Sequence, residues 1–426
     1  MWGHQCELND IGKMNLEKEF NKIKLRKNKY FYPLNSENMR NQDLAQGIKV
    51  IFSKQITMSN VTNKFENIFK KKLNFKYALM LNSGSSANLL ALQCLINPYR
   101  KKRLKSGDEV LIPAVCWSTS LWPIIQSGLK PIFVDIDRNT LNISLKDLES
   151  KISKRTKALM LVHVLGNSVN MNKLINIIKK KKLILIEDTC EALGSKFNNR
   201  HLGGFGDFST FSFYHSHQIS SGEGGMICCS STEDYEILKT LRSHGYARVL
   251  KDRKNLEKKY SKIDGRFLFV NSGFNLRPTD IQAAIATSQF KSLDNFIKQR
   301  SVNRKKIIES LMKNQLWNNQ VTFINENKNV KPSWFGIGIL FNKEYKNKKN
   351  KIIKKLNSLG IETRPIISGN FAKQPAIKKY NILKKRISLT NADLVNDLGF
   401  FIGLSINAIS SSKLKRFTEV FFKSFN

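Results

Sequence analysis

The sequence is short of acid. Its 426 residues hold 33 Asp and Glu against 72 Lys and Arg, a formal net charge of +39. Proline, at 9, and cysteine, at 6, are also scarce. Cys6, Cys94, Cys116, Cys190, Cys228 and Cys229 contain no CxxC pair, which argues against structural zinc, and the chain is too long to rest on a disulfide scaffold. No apolar run approaches the roughly 20 residues that a membrane-spanning helix needs. The opening Met1-Trp2-Gly3-His4-Gln5-Cys6 is not a charged stretch leading into an apolar one, so no signal peptide is expected. These absences point to a soluble, cytoplasmic protein with reduced, mostly buried thiols.

What is present suffices for a large core. Hydrophobic residues make up 41% of the chain and charged residues 25%, so this is not a disordered tail. A field of +39 attracts polyanions: nucleic acid, an anionic membrane surface or a phosphorylated substrate. The lysines are spread along the whole chain, however. Runs such as Lys70–Lys72 and Lys179–Lys182 are short and suit helix C-termini, where cations meet the dipole. No zinc finger, RNP-type aromatic motif or Gly-rich RNA loop accompanies them. Compositional bias therefore explains the charge better than a dedicated nucleic-acid surface.

The apolar pattern predicts alternating strands and helices. Strands are expected at Tyr77–Leu81, Val110–Ile112, Pro131–Ile136, Leu159–Val164, Leu183–Glu187, Phe211–Phe213 and Gly225–Cys229. Helices are expected at Ala87–Ile96, Ser118–Ser127, Met171–Lys180 and Ile281–Phe290, and from Leu293 past Arg304. That alternation predicts an α/β domain with a mostly parallel sheet. Beyond about residue 310 the composition shifts toward Lys and Asn. Strands near Phe335–Phe341 and Glu362–Ile366 and helices near Lys351–Leu359 and Ser411–Phe421 predict a smaller C-terminal α/β domain. The expected division is an N-terminal extension over 1–45, a large domain over 46–295 and a small domain over 296–426.

Three stretches carry chemistry. Asn82-Ser83-Gly84-Ser85-Ser86-Ala87 joins a strand to a helix; small residues and free helix N–H groups make a phosphate cradle there, although many such joints carry Gly and Ser for structure alone. Ile186-Glu187-Asp188 ends a buried strand in acid, where open α/β sheets bind ligands. A buried carboxylate there needs a cation, such as a protonated ring nitrogen; the alternative is an N-cap for a following helix. Phe211 to Gly225 places His215 and His217 in a loop with a Gly-rich end. No third ligand at metal spacing accompanies them, so no metal is expected.

Taken in order, SGSSANLLAL, PAVCWSTS, FVDID, EDTCEALG, STFSFYHSHQISSGEGG and GFNLRPTDIQAA resemble the pyridoxal-phosphate sugar aminotransferases of the DegT/DnrJ/EryC1/StrS family, from about residue 45 to 426. The resemblance implies a fold-type I transferase with pyridoxal or pyridoxamine 5′-phosphate as cofactor. It implies that Gly84 and Ser85 hold the cofactor phosphate, that Ser212 adds a hydroxyl, and that Trp117 stacks on the ring. It implies that Asp188 pairs with the ring nitrogen, that Glu191 stands where the aminotransferases commonly have Gln, and that Asn275 reaches the phosphate of a neighbouring subunit in a homodimer. His163, Tyr214 and Arg364 are candidate substrate contacts. Arg364 is equally readable as a surface ion pair and His163 as a core histidine.

One departure directs the functional expectation. The family aminotransferases carry a Schiff-base Lys in the segment where this chain has His217. His-for-Lys resembles the branch of nucleotide-sugar 3-dehydratases, as does Glu362–Ile366 with Ser368-Gly369-Asn370. Imidazole forms no imine but is a general base near neutral pH. The implied reaction is C3 dehydration of a nucleotide-linked 4-keto-6-deoxyhexose for surface polysaccharide, with His217 as base. One subtype carries an iron–sulfur cluster, which needs four ligands, normally Cys; no cysteine follows Cys229, so the amine is expected to come from an amino acid, typically glutamate. Gln218 stands where that branch commonly has a second His. The alternatives are a sugar aminotransferase that tolerates His217, and a non-catalytic basic regulatory or nucleic-acid-binding protein on the same fold.

Overall fold

In a computed structural model of the chain, residues 28–35, 39–383 and 387–425 are described. The first 27 residues of the expected N-terminal extension lie outside them.

The main sheet collects β1 (Tyr77–Leu81), β2 (Glu109–Pro113), β3 (Lys130–Val134), β4 (Thr156–Val162), β5 (Ile184–Asp188), β8 (Phe208–Ser212) and β9 (Gly225–Cys229) in the order β1-β9-β8-β5-β4-β2-β3. The pairs β2–β3, β2–β4, β4–β5 and β5–β8 are parallel, while β9 runs antiparallel to β8 and β1. These strands are apolar along nearly their whole length because helices cover both faces. Two short strands, β6 (Lys196–Phe197) and β7 (Arg200–His201), form a small sheet with β11 (Val330–Lys331).

The topology delivers one crowded edge. Leu81 and Ser212 both pair with Gly225, and Val162 pairs with Asp188. The segments after β1, β2, β4, β5 and β8 therefore emerge together, where open α/β sheets place ligands. A β-carbon on Gly225 would stand 2.3 Å from the carbonyl group of Ser83, so only glycine lets β9 begin beside the loop that follows β1.

Behind this edge lies an aromatic cluster. Phe69 meets Phe211 at 5.1 Å, Phe290 at 5.1 Å, Phe65 at 5.9 Å and Phe213 at 6.0 Å between ring centroids. These rings join the helices Asn60–Leu73 and Asp280–Lys291 to β8 and to the loop that follows it. Asp280 tightens the same corner. Its carboxylate accepts the amides of Ser59, Val61 and Thr62, capping the helix Asn60–Leu73 from another element.

The C-terminal part builds on an antiparallel sheet, β10 (Val321–Phe323), β12 (Gly336–Phe341), β13 (Thr363–Arg364) and β14 (Gly399–Gly403), in the order β10-β12-β14-β13. The strand expected over Glu362–Ile366 shrinks to Thr363–Arg364, since Pro365 has no amide to donate. The 20-residue helix Leu293–Met312 connects the two sheets. Tyr32 lies against the smaller sheet, bridging to Ile361 and donating its hydroxyl to Gly403 O at 2.9 Å. Among the described residues no helix is long and apolar enough to cross a membrane, and no group of His, Cys, Asp and Glu could hold a metal ion.

The aromatic cluster sets a measurable expectation. Phe69→Ala leaves a cavity under β8 and is expected to cost about 3–5 kcal/mol. Denaturant unfolding checks this; a loss below about 1 kcal/mol would mean the rings do not act as one packed unit.

Candidate functional site

The crowded edge gathers most of the residues singled out in the sequence. The helix Gly84–Ile96 begins there, N-capped by Ser83, whose Oγ accepts the Ser86 amide. Gly84 lies so close to β8 that an added β-carbon would stand 2.5 Å from Ser212 Cβ and 3.0 Å from Cys190 Sγ. Ser85 is exposed, and its hydroxyl is 2.9 Å from Thr119 Oγ1. First-turn amides with no intrahelical partner, together with the hydroxyls of Ser85, Thr119 and Ser212, suit an anion. Trp117 precedes the helix Ser118–Gln126 and is 56% exposed.

Asp188 ends β5 and is 5% exposed. Asn88 Nδ2 donates to its Oδ2 at 2.8 Å, Ser120 Oγ donates to the same oxygen at 2.7 Å, and the Cys190 amide donates to Oδ1 at 3.2 Å. All three donors are neutral. No Lys, Arg or His among the described residues pairs with it. No helix follows it either, so it caps nothing; its bond to the Cys190 amide closes a turn.

That turn holds the next partner. His217 lies in the loop between β8 and β9, and its Nδ1 is 2.6 Å from the Cys190 carbonyl. A carbonyl only accepts, so Nδ1 carries the hydrogen and the lone pair of the neutral ring sits on Nε2. Burial pushes the imidazole down to about 4. The Cys190 hydrogen bond and the Asp188 charge oppose that shift, and the Arg300 charge adds to it. Phe335 packs at 5.3 Å between ring centroids, and Tyr214, 49% exposed, lies at 6.2 Å. No lysine occurs between Phe213 and Gly224.

Glu191 comes off the same turn. Its Oε2 accepts the Leu165 amide at 2.7 Å. Burial raises its carboxyl to about 7; the Leu165 amide works against the rise and Asp188 works with it. Gln218 Nε2 donates to the Glu191 carbonyl and, at 3.2 Å, to Ser333 Oγ. From the other side, Ser368 Oγ donates to the Cys116 carbonyl at 2.6 Å and the Phe371 amide to the Ala114 carbonyl at 2.8 Å. These bonds fix the 368–371 segment against the residues just before Trp117.

Other candidates sit apart. His163 is fully buried, and its Nε2 donates to Glu187 Oε2 at 3.0 Å. Glu187 also accepts the amides of Gly203, Phe205 and Gly206, so this pair ties β4 and β5 to the following loop and presents no face to a substrate. Arg364 is exposed, with Nη2 3.3 Å from Glu362 Oε1. Asn275 is exposed on a bridge to Ser243, its Oδ1 accepting Arg277 Nε at 3.0 Å.

Sequence reasoning missed Asn88, Ser120 and Arg300. Asn88 had a signal: a polar residue on the buried face of an otherwise apolar helix. Arg300, one cation among many, had none.

Comparison with known proteins places this geometry in context. The model of the DegT/DnrJ/EryC1/StrS aminotransferase family matches residues 37–400. The chain is 37% identical over 374 residues to GDP-4-keto-6-deoxy-D-mannose 3-dehydratase of Escherichia coli O55:H7 (strain CB9615 / EPEC), covering 87% of this chain and 95% of that protein. It is similar to the solved E. coli GDP-4-keto-6-deoxy-D-mannose-3-dehydratase with bound hydrated PLP, with a TM-score of 0.85 and 35% identity, covering 92% of this chain and 99% of that one. It is also similar to a solved GDP-4-keto-6-deoxymannose-3-dehydratase with a trapped PLP-glutamate geminal diamine, with a TM-score of 0.83 and 35% identity over 92% of this chain and all of that one, 100%.

The raised Glu191 carboxyl makes a pH prediction. Its folded value, about 7, lies above the ordinary 4.5, so its contribution to stability is complete below the lower value and is lost as pH rises through the upper one. Glu191→Gln removes that loss and can still accept the Leu165 amide. At pH ~8 the variant is expected to be more stable by on the order of 2–3 kcal/mol, with the gap closing toward pH ~4.5. Thermal unfolding across that range decides it; a gap independent of pH would refute the assignment.

Proposed function

The chain belongs to the DegT/DnrJ/EryC1/StrS aminotransferase family, and from that premise we propose that it removes the C3 hydroxyl of a nucleotide-linked 4-keto-6-deoxyhexose in surface-polysaccharide sugar synthesis. The cofactor is pyridoxal 5′-phosphate and its pyridoxamine form, and glutamate is the amino donor. A GDP-linked 4-keto-6-deoxy-D-mannose is the first substrate to test. The observation that carries this reading is His217, neutral and held by Nδ1 so that Nε2 is the basic atom, in a loop without lysine.

The residues present fit the cofactor. Asp188 is a buried carboxyl whose partners are all neutral donors, which leaves a place for a protonated ring nitrogen. The start of the helix Gly84–Ile96, with Ser85, Thr119 and Ser212, suits the phosphate, and the exposed Trp117 indole suits an aromatic ring face. Glu191 stands on the Asp188 turn as a further polar contact for the same ring. When bound, the cofactor supplies the amine that engages the C4 ketone and the electron sink that C3–O cleavage needs.

The chain's own residues do the rest. Asp188 keeps its partner nitrogen protonated. His217 Nε2 takes a proton at the reacting centre, while the Cys190 carbonyl steadies the imidazolium through Nδ1–H. The resulting Nε2–H is the acid available to the departing C3 oxygen. A lysine amine in this place would attack carbonyls; imidazole only moves protons, which favours elimination over capture of the cofactor by the chain. Tyr214, beside the His217 ring, and the exposed Arg364 are the proposed substrate contacts, and an arginine suits a diphosphate. His163 is left with its structural bond to Glu187.

We propose further that the protein works as a homodimer in which Asn275 reaches the neighbour's phosphate site. Its exposure, and the exposed Tyr260, Phe267 and Phe269 nearby in sequence, support a covering second subunit.

The test is incubation with pyridoxamine phosphate, glutamate and a panel of GDP-, CDP- and dTDP-linked 4-keto-6-deoxy sugars, read by mass spectrometry. Loss of the C3 oxygen is expected; a stable amino sugar that keeps it would mean aminotransfer instead. His217→Asn is expected to lower the rate by about 10²–10⁴-fold with substrate binding kept. An unimpaired variant would remove the base from the proposal.

A further inference from the structure

His217 is held at two ends. Its ring is tied to Cys190 on the turn after β5, and its own carbonyl accepts Arg300 Nη2 at 3.3 Å. Arg300 lies on the long helix Leu293–Met312 that joins the two sheets and is 1% exposed, among the largest fully buried side chains. Burying a guanidinium is costly, and a loop anchor alone needs only a neutral donor. Neighbouring residues of the same loop use neutral contacts: the His215 carbonyl accepts Asn35 Nδ2, and Gln218 Nε2 donates to Ser333 Oγ. At the His217 carbonyl a charged donor is used instead.

We propose that Arg300 is a positioning residue for His217: its guanidinium anchors the His217 carbonyl while its positive charge faces the imidazole. This rests on the reading of His217 as the base. The polar and charged groups that act on the ring are the Cys190 carbonyl, Asp188 at the end of β5, and Arg300; the rings of Tyr214 and Phe335 pack beside it. Asp188 and the carbonyl favour a proton on Nε2, and Arg300 opposes it, as burial does. The imidazole is thereby available as a base before substrate arrives, and its backbone cannot swing away from Cys190.

Two variants separate the parts. Arg300→Gln keeps a donor but removes the charge. The His217 ring titration, followed by NMR in the protein as purified and assigned by loss of its signal in His217→Asn, is expected to move up by about half a pH unit or more. The acid limb of the dehydration rate is expected to move the same way. A folded Arg300→Gln protein with an unmoved His217 midpoint would overturn the proposal; a merely structural arginine would alter stability and leave the midpoint in place. Arg300→Lys keeps the charge on a shorter reach without the planar fork. It is expected to leave the midpoint unmoved and to lower kcat about tenfold with little change in KM. Wild-type kcat in this variant would overturn the anchoring, even if the Gln variant fails to fold. The titration is independent of turnover: a midpoint that shifts in a protein forming no 3-deoxy sugar would support the positioning of His217 and refute the dehydration reading alone.

Discussion

The hydrogen bond from His217 Nδ1 to the Cys190 carbonyl organises the site. It sets the tautomer of the ring, aims Nε2, and ties the loop after β8 to the turn after β5. It exists because β5 and β8 are parallel neighbours, paired at Asp188 and Thr210, so their following segments leave the sheet side by side. The same turn supplies the Asp188 carboxyl and the Glu191 carboxyl. A single corner, Asp188 to Glu191, thus carries the acid proposed to meet a cationic ring, the carbonyl that orients the His217 imidazole, and a second titratable group. Thr210 Oγ1 also donates to Asn88 Oδ1 at 2.6 Å, and Asn88 donates on to Asp188, so the corner is braced from the helix Gly84–Ile96 as well.

Much of this was legible because the chemistry is local in sequence. The main strands, the Gly-Ser cradle, the acid at the end of β5 and the paired histidines each sit within one short run, and their order along the chain is the order in which the fold uses them. What was not legible depends on pairing between distant segments. The antiparallel arrangement of the C-terminal strands follows from which hydrophobic faces meet, and β14, with the sequence Gly-Phe-Phe-Ile-Gly, carries too short a run to be told from a helix end. His163 looked like a site residue because it ends a buried strand. Its partner, Glu187, lies 24 residues away on the next strand, and only the register brings them together. Arg300 shows the same limit: nothing around it in sequence distinguishes it from dozens of other basic residues.

The excess of positive charge reads differently once the site is known. Most exposed lysines are scattered, and surface ion pairs such as Lys305–Glu309 contribute little individually. A strongly cationic envelope does, however, raise the encounter rate of an anionic ligand, and a nucleotide-linked sugar carries its charge on a diphosphate. Charge of that kind needs no patch. It acts through its sum, which fits lysines distributed along the whole chain.

Inside the site the balance is reversed, and this bears on why imidazole can replace an amine there. His217 is held neutral near pH 7 and the Glu191 carboxyl is raised to about 7, because burial penalises the charged form of each. A lysine in the same surroundings would have to shed its proton against a higher intrinsic basicity and would then be a nucleophile toward any carbonyl it met. Imidazole reaches the neutral state with far less help and has no comparable reactivity. The environment that disfavours charge therefore suits a proton carrier, and the Asp188 carboxyl stands where neutral donors surround it and a cationic ligand atom would complete it. Two titratable groups displaced in opposite directions beside a fixed anion make a site that can pass a proton without first paying to create a charge.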